Sequence, residues 1–130
     1  MPWLLDTSVA IPLRDGDDRI ADRIAAGEHE LLISVVTMVE LENGVHRDPA
    51  QRQRRRDRLD QLLQRLEVLA FETDTALAYG RIVAASGFSR TRILDRMIAA
   101  QAIAAGAILL TLNPDDFRDI PGLQVEDWSA

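Results

Sequence analysis

Four short, unbroken apolar runs constrain this chain most: Trp3–Leu5, Leu31–Ile33, Val68–Ala70 and Ala107–Leu110. Each is too short for a buried helix, and none alternates with polar residues as a strand with one wet face would. They read as strands covered on both sides. The stretches between them carry helical spacing. Ile20, Ala21, Ile24 and Ala25 share one face in a segment opened by Asp17 or Asp18 and closed by Gly27. Val35, Met38, Val39, Leu41 and Val45 form a broad stripe in a helix over about 36–46. Asp48–Pro49 stops that helix and starts another, in which Leu59, Leu62, Leu63 and Leu66 recur at i, i+3, i+4 and i+7. Further helices are expected over 9–13, 73–87 and 94–105, with a brief one over 115–118. Leu123, Val125 and Trp128 suggest a last edge strand. Strands alternating with helices predict an α/β sandwich around a short, mainly parallel sheet, formed by one domain over residues 1–130.

Composition narrows the chemistry. A hydrophobic share of 47% with 28% charged residues excludes an intrinsically disordered chain. The absence of cysteine excludes disulfide scaffolds, zinc ribbons and thiol nucleophiles. Met97–Leu112 is the most apolar stretch, but it is too short to span a bilayer and is divided by Gly106. Met1–Pro2–Trp3 leads into an apolar run broken by Asp6, without the basic start of a secretory signal, so a cytoplasmic protein is expected. The net charge of −6 excludes a globally basic nucleic-acid binder. All 15 basic residues are arginines. Six of them lie within Arg47–Arg58 and read as a solvated helix end.

The carboxylates fall where apolar segments end. Ligands of an open parallel sheet bind beyond the carboxyl ends of its strands. Asp6 follows the first strand, Glu40 lies one turn into the helix after the second, Asp95 opens the Ala-rich helix, and Asp116 follows the fourth strand. Each has a plainer explanation alone. Asp6 is a good helix cap, Glu40 fits an exposed face with Thr37, Gly44 and Arg47, and Asp95 suits a helix dipole. Together, four converging carboxylates without basic partners repel one another unless a divalent cation neutralises them. With no cysteine, and with His29 and His46 away from the strand ends, the donors are all oxygen. That favours Mg²⁺ or Mn²⁺ over zinc or copper, and phosphodiester hydrolysis as the reaction that needs them.

These segments resemble PIN-domain ribonucleases, specifically the VapC-type toxins of bacterial toxin–antitoxin pairs. The pieces stand in the family's order: LLDTSVAI at Leu4–Ile11, ISVVTMVELENGV at Ile33–Val45, LDRMIAAQAIAAGAILLT at Leu94–Thr111 and TLNPDDFRDIPGLQVEDW at Thr111–Trp128. The resemblance implies a PIN-like three-layer α/β/α sandwich and an acidic catalytic quartet of Asp6, Glu40, Asp95 and Asp116. Where many family members have a further aspartate, this chain has Asn113, which adds no charge. One Mg²⁺ (or Mn²⁺) held chiefly by Asp6 and Asp95 is therefore expected. Glu40 and Asp116 then orient water or act as a base, while Thr7, Ser8, Thr111 and Asn113 support the carboxylates through hydrogen bonds.

An acidic rim also needs arginines to admit RNA: Arg90 and Arg92 first, then Arg96 and Arg118. Few aromatics argue against extensive base stacking. The resemblance further implies a homodimer and a cognate antitoxin, which wraps the toxin and often presents a basic residue to the acidic site. Val9, Ile11, Leu13, Ile20 and Ile24 are candidates for its groove, with core packing as the competing role.

Three rival functions fit these residues less well. A receiver-like phosphoacceptor requires a lysine, and none is present. A haloacid-dehalogenase-like phosphatase requires Asp-x-Asp, whereas Thr7 and Ser8 follow Asp6. A catalytically silent PIN-like RNA- or protein-binding module gains little from concentrated negative charge facing phosphate.

Overall fold

The computed structural model describes residues 1–129. Its strands are β1 (Trp3–Leu5), β2 (Leu31–Ser34), β3 (Glu67–Leu69), β4 (Ile108–Thr111) and β5 (Gln124–Asp127). Its helices are α1 (Thr7–Arg14), α2 (Asp18–Ala26), α3 (Val35–Arg47), α4 (Arg52–Leu63), α5 (Thr73–Ser86) and α6 (Ile93–Ala105). Short 3₁₀ turns occupy Pro49–Gln51, Arg90–Arg92 and Pro114–Phe117. The sheet runs β3-β2-β1-β4-β5, and every pairing is parallel.

The apolar runs divide between two cores by the two-residue period of a strand. Trp3, Leu5, Ile33 and Leu110 pack on one face with Val9, Leu13 and Ile20 from α1 and α2, Leu41 and Val45 from α3, and Leu59 and Leu62 from α4. Leu4, Leu32 and Leu109 point to the other face, against Ala78 and Ile82 of α5 and Ile98, Ala99 and Ala102 of α6. This is the expected three-layer sandwich. No helix among the described residues is long and apolar enough to cross a membrane.

Helix boundaries follow local chemistry. Asp17 accepts from the Ile20 N–H, Ser34 from Val36 and Asp48 from Ala50, capping the segments that follow them. α2 ends where Trp3 crosses it. A Cβ on Gly27 would lie 2.5 Å from the Trp3 Cη2, so only glycine leaves room.

One expectation is corrected here. Val9 and Ile20 are buried core residues and offer no docking groove, while Leu13 is buried yet lines an apolar notch. Of the five proposed for it, only Ile11 is well exposed, and Ile24 is half-buried.

Candidate active site

The chain winds outward from β1 in one direction to β2 and β3, then returns to place β4 on its other side. The carboxyl ends of β1 and β4 are therefore the switch point of the sheet, where α/β folds bind ligands. Asp6 emerges there from β1, and Thr111 closes β4.

Asp6 occupies the N-cap position of α1, yet its side chain makes no capping hydrogen bond. Its Oδ2 instead accepts from the Ser8 hydroxyl at 2.7 Å and from the Thr111 hydroxyl at 2.8 Å, across the switch point. Both hydroxyls accept from backbone: Ser8 from the Leu112 N–H and Thr111 from the Asn113 N–H, each at 3.0 Å. Their single protons are therefore committed to Asp6. This holds the buried carboxylate as a pure acceptor, with no protein donor on Oδ1 among the described residues. The capping explanation of Asp6 is displaced by this network.

Glu40 is half-buried rather than lying on a free helix face. Its Oε1 accepts from the Thr7 hydroxyl at 2.7 Å. The Thr7 oxygen lies 3.0 Å from that of Thr37, which is fully buried one turn before Glu40. With the Thr7 proton spent on Glu40, Thr37 is the donor to Thr7. Thr37 thus supports the site in a way not anticipated from sequence. Its spacing from Glu40 was the available signal, but the partner lies on another helix.

Asp95 sits in the first turn of α6, half-buried, with no hydrogen-bond donor among the described residues. Its carboxyl is pushed up to about 6, first by burial and then by the charges of Asp6, Asp116 and Glu40; Arg92 opposes the shift. All three other carboxylates thus bear on this one group. Asp116, in the 3₁₀ turn after β4, is fixed through its backbone, whose carbonyl accepts from Arg92 Nη1 at 2.8 Å. Asn113 also contributes through its backbone, its carbonyl accepting from the Asp116 N–H at 3.1 Å.

The arginines separate into different roles. Arg90 is exposed, and Arg92 is half-buried beside the acids. Arg118 is exposed and paired with Asp115. Arg96, expected among the RNA contacts, is only 2% exposed. Its guanidinium bonds the Gly87 carbonyl and, at 3.1 Å, the Asp119 carboxylate. It anchors the α5–α6 loop and is unavailable to a phosphate.

If Asp6 ligates a metal ion, Ser8→Ala and Thr111→Val should each lower metal-dependent activity about 10- to 100-fold, as loss of a group that orients a ligand does. Each should change melting only modestly. Activity within twofold of wild type would show that Asp6 is positioned without them.

A PIN-domain family model matches residues 3–123. The tRNA(fMet)-specific endonuclease VapC of Salmonella typhimurium is 30% identical over 131 residues, covering 98% of each chain. The crystal structure of VapBC2 from Rickettsia felis bound to a promoter DNA fragment matches with a TM-score of 0.87 and 28% identity, over 98% of this chain and 99% of that one. VapBC-5 from Mycobacterium tuberculosis, a member of the VapBC family of toxin–antitoxin systems, matches with a TM-score of 0.70 and 30% identity, over 97% and 96%. The chain belongs to the PIN-domain family of nucleases, on its VapC-type branch.

Proposed function

We propose that this chain is a Mg²⁺- or Mn²⁺-dependent ribonuclease acting in the cytoplasm as the toxin of a toxin–antitoxin pair, with residues 1–130 as one catalytic domain. The carrying observation is Asp95, half-buried without a donor and beset by three other carboxylates. Such a group calls for a cation. Among the described residues no three His, Asp or Glu side chains stand close enough to hold an ion together. Mg²⁺ typically takes one or two carboxylates and completes its shell with water and substrate oxygens. Asp6, through Oδ1, and Asp95 would hold it. Bound there, the ion would supply charge neutralisation at the phosphate and a water acidified for attack.

The protein groups do the rest. Thr7 and Thr37 hold Glu40, and Arg92 holds the turn carrying Asp116, so both carboxylates are placed to orient water or take its proton. Arg90 and Arg92 supply positive charge for the RNA backbone, with Arg118 further out. The test is incubation of the purified chain with a mixed RNA pool and Mg²⁺ or EDTA, followed by sequencing of the RNA ends. New ends that appear only with the metal are expected. Metal-independent cutting, or binding without cutting, would refute the assignment.

The antitoxin reading is supported by a two-part groove. An apolar notch of about 110 Å³ is lined by Leu13, Ala21, Ile24, Ala25, Leu31, Leu62 and Leu66, with Arg65 at its lip. It adjoins a groove of about 530 Å³ whose walls include Arg14, Arg54, Arg58 and Arg65 against Asp57. An acidic amphipathic segment fits both parts. Ile24→Glu should lower antitoxin affinity about tenfold or more while leaving RNA cleavage intact. Unchanged affinity in a titration would place the antitoxin elsewhere. The expected homodimer would cover Val39 on α3 and Leu77 on α5, which are 57% and 61% exposed.

A further inference from the structure

Phe88 is the most exposed large hydrophobic side chain of the described residues, at 69%. Trp3, Phe117 and Trp128 are buried in the cores, so this aromatic ring is set apart from them. It stands in the α5–α6 loop, directly before Ser89 and the Arg90–Arg92 turn that leads into Asp95.

The loop is tied down on both sides of the ring. Gly87 adopts φ 79°, a conformation other residues rarely take, and its carbonyl is bound by buried Arg96. The preceding Ser86 hydroxyl donates to the Asp119 carbonyl at 2.5 Å. Beyond the ring, Arg92 bonds the Asp116 carbonyl at 2.8 Å, and its charge is felt by Asp95. Four residues span at most about 14 Å, so the Phe88 backbone lies within that distance of the Arg92 backbone. An exposed aromatic ring on an anchored loop that also carries Arg90 and Arg92, and that leads into Asp95, matches the needs of an unpaired nucleotide. Arginine meets the phosphate and the ring meets the base.

We propose that Phe88 is a substrate-positioning residue on which an unstacked base of single-stranded RNA stacks next to the scissile phosphate. This rests on the ribonuclease reading and adds a positioning residue to it. The stretch of helix leading to Phe88 carries no arginine after Arg81, so the positive charge lies on the Asp95 side of the ring. That charge placement favours a nucleotide over an apolar protein partner.

The test uses the full chain and a fluorescein-labelled, mixed-sequence single-stranded oligoribonucleotide, with Ca²⁺ replacing Mg²⁺ to read binding without cleavage. Phe88→Ala should weaken binding about tenfold or more, and Phe88→Trp should restore it with fluorescence quenching on RNA addition beyond that of wild type. Phe88→Leu keeps apolar bulk without a π face and should behave like alanine. Binding unchanged in Phe88→Ala, or restored equally by leucine, overturns the proposal. So does a loss that merely follows a change of oligomeric state seen by light scattering. Wild-type cleavage under Mg²⁺ in parallel separates the two readings: if wild type cuts and Phe88→Ala binds normally, only the stacking role falls. If wild type neither binds nor cuts RNA, the ribonuclease reading falls with it.

Discussion

Asp95→Asn should reduce Mg²⁺-dependent RNA cleavage by about a thousandfold or more, since the ion's contribution of several kcal/mol would be lost with its ligand. The same variant should be the more stable protein when metal is absent. Asp95 binds its proton up to about pH 6 in the folded chain, against an ordinary value of 3.8. The folded state therefore holds this proton more tightly than the unfolded state does. The stability contributed by protonated Asp95 is complete below pH 3.8 and is lost as pH rises through 6. At pH 7.5 in EDTA, the asparagine should gain about 1 kcal/mol, a figure discounted because the carboxyl is partly in water. That amounts to a few degrees in Tm, shrinking to nothing near pH 4. Added Mg²⁺ should raise the Tm of wild type and leave Asp95→Asn unmoved. Thermal melts at the two pH values decide it. A variant less stable than wild type at pH 7.5 would mean that Asp95 serves the fold. Asp6→Asn should lose activity equally, but without that gain, because its Oδ2 accepts two hydroxyl hydrogen bonds.

Trp128→Ala should cost about 3–5 kcal/mol, the usual price of emptying a buried tryptophan site. Trp128 lies just beyond β5 and is fully buried. It meets Trp3 edge-on at 5.3 Å between ring centroids, and the Arg23 guanidinium lies 4.4 Å over its ring. Its indole N–H donates to Glu126 at 2.6 Å. Its backbone N–H donates to the Thr111 carbonyl at 2.8 Å, tying the residue after β5 to the one that holds Asp6. Activity should therefore fall at temperatures where the variant is still folded. Urea unfolding gives the measurement. A loss below about 1 kcal/mol would show that the end of the chain is not part of the core.

How much of this was legible in the sequence depends on how local each cause is. The strands could be read because two buried faces leave an unbroken apolar signature, and Leu4 facing one core while Leu5 faces the other follows from strand geometry alone. Helix starts at Asp17 and Asp48 could be read because a cap acts within three residues. Asp6 could be nominated by position, but its exemption from capping could not be foreseen. The hydroxyls that hold it belong to Ser8, two residues on, and Thr111, 105 residues away, both named from the family resemblance and not from local pattern. Glu40 looked exposed for the same reason, since Thr7 reaches it from another helix. Arg96 misled most. Beside Asp95 it resembles a phosphate ligand, and only the fold reveals that Gly87 and Asp119 enclose it. Within the arginine run, Arg56 is paired with Glu42 and Asp60, whereas Arg54 and Arg58 line the groove. A helix-end label averaged over those differences.

In the proposed mechanism Asp6 and Asp95 share one divalent ion on which RNA cleavage depends. Mn²⁺ binding, followed by its electron paramagnetic resonance signal in wild type and in Asp95→Asn, tests it most directly when cleavage is read across the same titration. Wild type should show one saturable site and cleavage that rises with its occupancy, and the variant should lose both. Equal Mn²⁺ binding by the two proteins, or cleavage that persists in EDTA, would contradict it.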